Sequence, residues 1–177
     1  MTDLLAMLSG GDRRSIGRAN EAADLVLSSP ELFVMLIEGI SSADPVVAMR
    51  SADAAEKVTA IRPEMLEPFT DQLLNRLSGI TQQEVRWHVA PMLIRLPLTP
   101  ADEQTVMGIL TSYTNDKSSI VRTSAMQAMA DLALRSSGYH TEVLSKLEAL
   151  VAIGTPAMRA RGRKLLARLA GVAVTDR

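Results

Sequence analysis

Apolar residues recur along this chain with the spacing of an α-helix. Leu66, Phe69, Leu73, Leu74 and Leu77 follow the i, i+3, i+4 rule, as do Val121, Ala125, Ala128, Met129 and Leu132, and Met158, Leu165, Leu166 and Leu169. No segment alternates apolar and polar residues convincingly enough to read as a strand. Proline and glycine divide the pattern. Ser29-Pro30, Asp44-Pro45, Thr99-Pro100 and Thr155-Pro156 each put a capping side chain before a proline, and Arg62-Pro63 is a weaker version. The capping oxygen accepts from a free backbone N–H, and proline at the first helical position gives up a bond that did not exist. Asp102 and Glu103 follow Thr99 in the turn where the helix dipole favours acids. Gly10, Gly11, Gly39, Gly79, Gly138, Gly154 and Gly171 mark helix ends, and Pro97 closes another segment. The predicted elements are ten helices over 2–9, 12–28, 30–40, 44–60, 63–78, 82–96, 100–114, 118–136, 141–152 and 156–170, an all-α chain with short turns.

The segments repeat. Residues 47–58, 85–96, 121–132 and 158–169 align without gaps, and their first positions lie 38, 36 and 37 residues apart. A more distant copy begins near Ser15, with Arg18, Ala22, Ala23 and Val26 in matching places. A helical pair recurring at this period is the mark of a solenoid. One hairpin cannot bury its apolar stripe alone; stacking buries it continuously, and small residues such as Ala125 and Ala128 let neighbouring helices approach. The short first helix and the Arg-rich last helix suit the polar ends such a stack needs.

These residues resemble the HEAT repeat. Val121-Arg122 with Ala125, Ala128 and Met129 matches its second helix, Asp116 stands in the place of its acidic loop residue, and Pro63 to Phe69 matches its first-helix pattern. Ala48 stands where the pattern has arginine, and Pro91 interrupts the third copy. The resemblance covers almost the whole chain. It implies an α-α superhelix of about five HEAT-like hairpins (approximately 1–28, 29–61, 62–97, 98–137 and 138–171) forming one domain over 1–177. It also implies that the second helices line a concave face.

Composition narrows the chemistry. There is no cysteine, which excludes disulfides and thiolate sites, and only two histidines, far apart. Aromatic residues are 3% of the chain, which disfavours a sandwich or barrel. The longest apolar run, Leu32 to Ile37, is far short of a membrane span, and the opening residues have no basic leader pattern, so a cytoplasmic protein is expected. No Gly-rich phosphate loop, His-Glu-x-x-His or Gly-x-Ser-x-Gly occurs. Neither a catalytic set, a cofactor nor a metal site is expected; His88 and His140 read as surface or packing residues.

The aligned third, fourth, seventh and eleventh positions point away from the core. They hold seven basic residues (Arg18, Arg50, Lys57, Arg95, Arg161, Lys164 and Arg168) against Glu21, Asp53 and Asp131, a face of +4 on a chain of net charge −1. Residues 1–88 carry −5 and residues 89–177 carry +4, an asymmetry that could also favour head-to-tail contacts between copies. Arginine forks suit carboxylate or phosphate, and Trp87 offers a flat anchor. The candidate binding residues are Arg18, Arg50, Trp87, His88, Arg95, Gln127, Arg161, Lys164 and Arg168. The same row could equally be a solvated face with inter-repeat ion pairs, and Trp87 either a packed or an exposed residue. Arg86, Arg122 and Arg159 occupy the motif's arginine position and are expected to bond loop acids or carbonyls. Pro91 removes the bond to the Trp87 carbonyl and predicts a bend.

The expected function is a non-catalytic scaffold binding a protein or acidic peptide through its concave face. A nucleic-acid binder using the basic groove is the alternative. The alkylpurine DNA glycosylases resemble this chain in helical repeats and a basic concavity with tryptophan, but they use a carboxylate flanked by aromatics, and the sequence shows no acid convincingly beside Trp87. Such an activity is a distant third.

Overall fold

The computed structural model describes residues 3–173. Among them it holds ten α-helices, four short 3-10 segments and no strand. The helices are α1 (Leu4–Leu8), α2 (Ala19–Ser28), α3 (Phe33–Gly39), α4 (Pro45–Ile61), α5 (Thr70–Asn75), α6 (Gln83–Arg95), α7 (Pro100–Tyr113), α8 (Ser119–Arg135), α9 (His140–Ile153) and α10 (Pro156–Ala173). All five prolines expected at helix starts are the first residue of a helical element: Pro30, Pro45, Pro63, Pro100 and Pro156. Asp44 caps α4 by accepting from the Val46 N–H at 2.8 Å, and Thr99 and Asp102 cap each other's backbone at the start of α7. Ser29 makes no such bond, and its segment opens with a 3-10 turn.

Two expected helices are shorter or broken. Residues 12–18 are not helical. Asp12 and Ser15 accept from the N–H groups of Arg14 and Gly17, which turns the chain locally, and Gly10, Gly11 and Gly17 all have positive φ. At Gly17, φ is +52° and a Cβ would lie 2.6 Å from the Arg50 guanidinium carbon, so backbone conformation and close approach both demand glycine. Residues 63–78 split into a 3-10 run (Pro63–Phe69), α5, and a second 3-10 turn, because Pro68 lacks the N–H that an α-helix would use. By contrast α6 runs unbroken through Pro91, and α10 continues past Gly171.

The chain divides into two compact units, Met1–Pro97 and Leu98–Arg177. In the first, α4 is the central helix, packed by α1, α2, α3 and α6. Ala48, Ala52, Ala54 and Ala55 are buried around its circumference, and their small size lets neighbours approach from several sides. Leu36, Ile37, Leu66, Leu73, Val89 and Met92 fill the spaces between, with Phe33 and Phe69 meeting edge to face at 5.7 Å. In the second unit α8 is central, packed by α7, α9 and α10. Ala125, Ala128, Ala130 and Ala133 are buried on it beside Met126 and Met129. Gly162 of α10 lies against Met126 and Val151, where a Cβ would collide. Consecutive helices pair throughout each unit (α1 with α2, α3 with α4, α5 with α6; α7 with α8, α9 with α10), and within a unit the second helix of one pair packs on the second helix of the next.

Candidate partner-binding face

In the first unit most of the polar side chains at the aligned positions are consumed by bonds to neighbouring helices and loops. Arg50 departs furthest from expectation. It is 4% exposed, because the 9–18 loop folds over it. Its guanidinium donates to five carbonyls, those of Leu8, Ser9, Gly10, Asp12 and Ser15, at 2.7–3.3 Å. The planar fork satisfies the free carbonyls after α1 and through the loop, a task a single ammonium could not match. Arg50 is therefore inaccessible to a partner.

Lys57 donates at 2.6 Å both to Asp53, itself 5% exposed, and to Asn20 of α2. His88 of α6 sits 3.6 Å from the other oxygen of Asp53. Burial pushes the His88 imidazole below its usual range, opposed by the carboxylates of Asp53 and Glu56 and assisted by Lys57. Arg95 reaches back to α4, donating to the Glu56 carbonyl at 2.7 Å, to the Thr59 hydroxyl at 3.1 Å and to the Glu56 carboxylate at 2.5 Å. Glu56 and Asn20 fall outside the four aligned rows, so the sequence count omitted them. Trp87 is half-buried, its ring edge to face with His88 at 5.9 Å. Arg18 lies exposed at the start of α2 and pairs with Glu21 at 2.8 Å. The bond holds Glu21 below the ordinary carboxylate range and Arg18 above its own, though in this exposed setting such a pair adds little stability.

The carboxylate of Asp53 lies 3.6 Å from His88, the ring partner of Trp87. Asp53 is buried and held by Lys57.

The second unit is more open. Gln127 of α8 donates to both oxygens of Asp131 at 3.0 Å and accepts from Arg161 of α10 at 3.1 Å. Arg168 pairs with Asp131 at 2.8 Å. Lys164 is exposed beside a cleft of about 380 Å³ lined by Thr123, Ala157, Ala160, Arg161 and Lys164. A second hollow of about 490 Å³ lies between α7 and α9, floored by Met107 and Gly108, and Glu142 and Lys146 on its wall already pair at 3.6 Å.

The motif-position arginines face local turns. Arg86 donates to the Ile80 carbonyl at 2.8 Å and Arg159 to the Gly154 carbonyl at 3.1 Å, while the Arg122 Nε is buried without an acceptor. His140 bonds the Leu169 carbonyl through its ring at 3.1 Å, tying α9 to α10. No described helix is long and apolar enough to cross a membrane. Compared with protein-family models and with solved structures, the chain matches neither a family model nor a solved structure.

Proposed function

We propose that the chain is an α-α solenoid of HEAT-like hairpins, a non-catalytic scaffold that holds a protein or peptide partner on the face of its second helices. The observation that carries this reading is the order of packing. Within the first unit α2 lies on α4 and α4 on α6, within the second α8 lies on α10, and polar bonds cross between these second helices: Lys57, Arg95 and Arg168, all at the eleventh aligned position, reach Asn20, Glu56 and Asp131, and Arg161 reaches Gln127. Serial stacking of this kind builds a surface for recognition rather than a pocket for chemistry. The burial of Asp53 and the absence of a reactive motif support a scaffold over an enzyme.

Affinity capture with matched variants tests it. Wild type and Lys146→Ala should retain the same protein, and Trp87→Ala combined with Lys164→Glu should lose it. Capture unaffected by the double variant, or purified protein with turnover abolished by one substitution on this face, would contradict the reading.

One observation favours nucleic acid as a second reading: α10 carries Arg159, Arg161, Arg163, Lys164 and Arg168 and no acid. Binding of that kind weakens steeply with salt. No retention of DNA or RNA at low ionic strength would remove it.

A further inference from the structure

Resting on the scaffold reading, we infer that the cleft between α8 and α10 is the docking site for an acidic segment of a protein partner, whose carboxylates pair with Arg161 and Lys164. The cations of the second-helix face differ in how they are compensated. Arg18, Lys57, Arg95 and Arg168 each have a carboxylate partner, and Arg50 has its ring of carbonyls. Among the described residues neither Arg161 nor Lys164 has a carboxylate partner, although both are exposed and border the same cleft.

The site is also prepared. Asp131 fixes the Gln127 amide, and the Gln127 carbonyl oxygen in turn holds one arm of the Arg161 guanidinium. That leaves the other guanidinium donors directed by a braced side chain, which lowers the ordering cost of forming a new pair. Ala157, Ala160 and Thr123 keep the cleft open, and about 380 Å³ accommodates a partner side chain or two between the charges. Residues three apart on a helix have Cβ atoms about 5–6 Å apart. Alternate residues of an extended peptide are about 6.6–6.8 Å apart on one side. Arg161 and Lys164 therefore match acids at alternate positions of an extended segment.

Charge arithmetic favours this partner over a phosphate backbone. Asp131 stands on the same face, paired to Arg168, where a continuous phosphate track would meet a carboxylate. The two uncompensated cations that border this cleft neutralise about two phosphates, fewer than the roughly 6–10 contacts of a strongly salt-dependent backbone binder. The net charge of −1 supplies no general attraction to a polyanion.

The test is an amide NMR titration of the full chain at low ionic strength. The probes are a short acetylated peptide of alternating Glu and Ala, its Lys–Ala counterpart, and an oligothymidylate of equal charge. Saturable shifts confined to residues 157–164 and the vicinity of Thr123 are expected with the Glu–Ala peptide alone. Binding should weaken by about tenfold or more in Arg161→Glu/Lys164→Glu, the loss of two charge-assisted pairs. The melting temperature of that variant should stay near wild type, and Lys117→Glu, an exposed charge change elsewhere, should leave binding intact. No saturable shift, equal loss with Lys117→Glu, or tighter binding of the oligothymidylate at the same residues would overturn the inference. Shifts centred on Trp87, His88 and Arg95 would overturn the location while leaving partner binding standing.

Discussion

Arg50 pins the loop between α1 and α2 with one guanidinium and five carbonyl acceptors, nearly excluded from water. Hydrogen bonds to a charged group contribute about 1.5–3 kcal/mol each in buried settings, and the loop carbonyls can recover some water contacts when the arginine is gone. Arg50→Ala should therefore destabilise the protein by about 2–3 kcal/mol in denaturant unfolding, and Arg50→Lys should recover little of it, because an ammonium cannot reach the whole set. A midpoint unchanged in either variant would mean that the loop holds itself. His88 gives a pH signature of known sign. Its folded-state pKa lies below the ordinary 6.5, so below that pH the unfolded chain binds more protons than the folded one. Its contribution is complete above about pH 6.5 and is lost as pH falls from there through the lowered value. His88→Gln should lose less stability than wild type between pH 7 and 5, measured by paired urea titrations; parallel curves would show that burial does not lower the imidazole's pKa.

At the level of elements, the proline and capping pattern was legible because it acts within a few residues. Pro45, Pro100 and Pro156 start their helices where the sequence puts them, with Asp44 and Thr99 as caps. The 12–18 loop was not legible, because what holds it is Arg50, more than thirty residues away in sequence. The split of 63–78 was half legible: Pro68 was visible, but Leu66, Leu73, Leu74 and Leu77 keep an apolar period across the break because all four still face one core. Of the candidate face, the aligned rows contain Lys57, Arg95, Arg161 and Arg168, which bond between helices, but also Arg18, which pairs at the start of α2, and Arg50, which holds a loop; two of the acceptors, Glu56 and Asn20, lie off those rows. Packing between elements makes its own prediction. Ala125 is fully buried on α8, so Ala125→Leu should overpack it and cost about 1–3 kcal/mol, read as a lower melting temperature. An unchanged melting temperature would place Ala125 away from the helix contact.

For the molecule as a whole, small residues are buried within each unit, polar side chains bond between its second helices, and on the last helix Arg161 and Lys164, two of the cations with no carboxylate partner, border the cleft proposed for a partner. The lack of cysteine permits a direct test, since introduced thiols have no native competitor. Helices packed side by side keep their axes about 8–10 Å apart, within reach of a short bis-maleimide. Asn20→Cys with Lys57→Cys joins α2 to α4, and Gln127→Cys with Arg161→Cys joins α8 to α10. Both pairs should cross-link rapidly within one chain in the folded protein and lose that rate in denaturant, while single-cysteine variants take up only one-ended adducts. Failure of either folded pair to close would contradict the side-by-side arrangement on which the proposed partner-binding face depends.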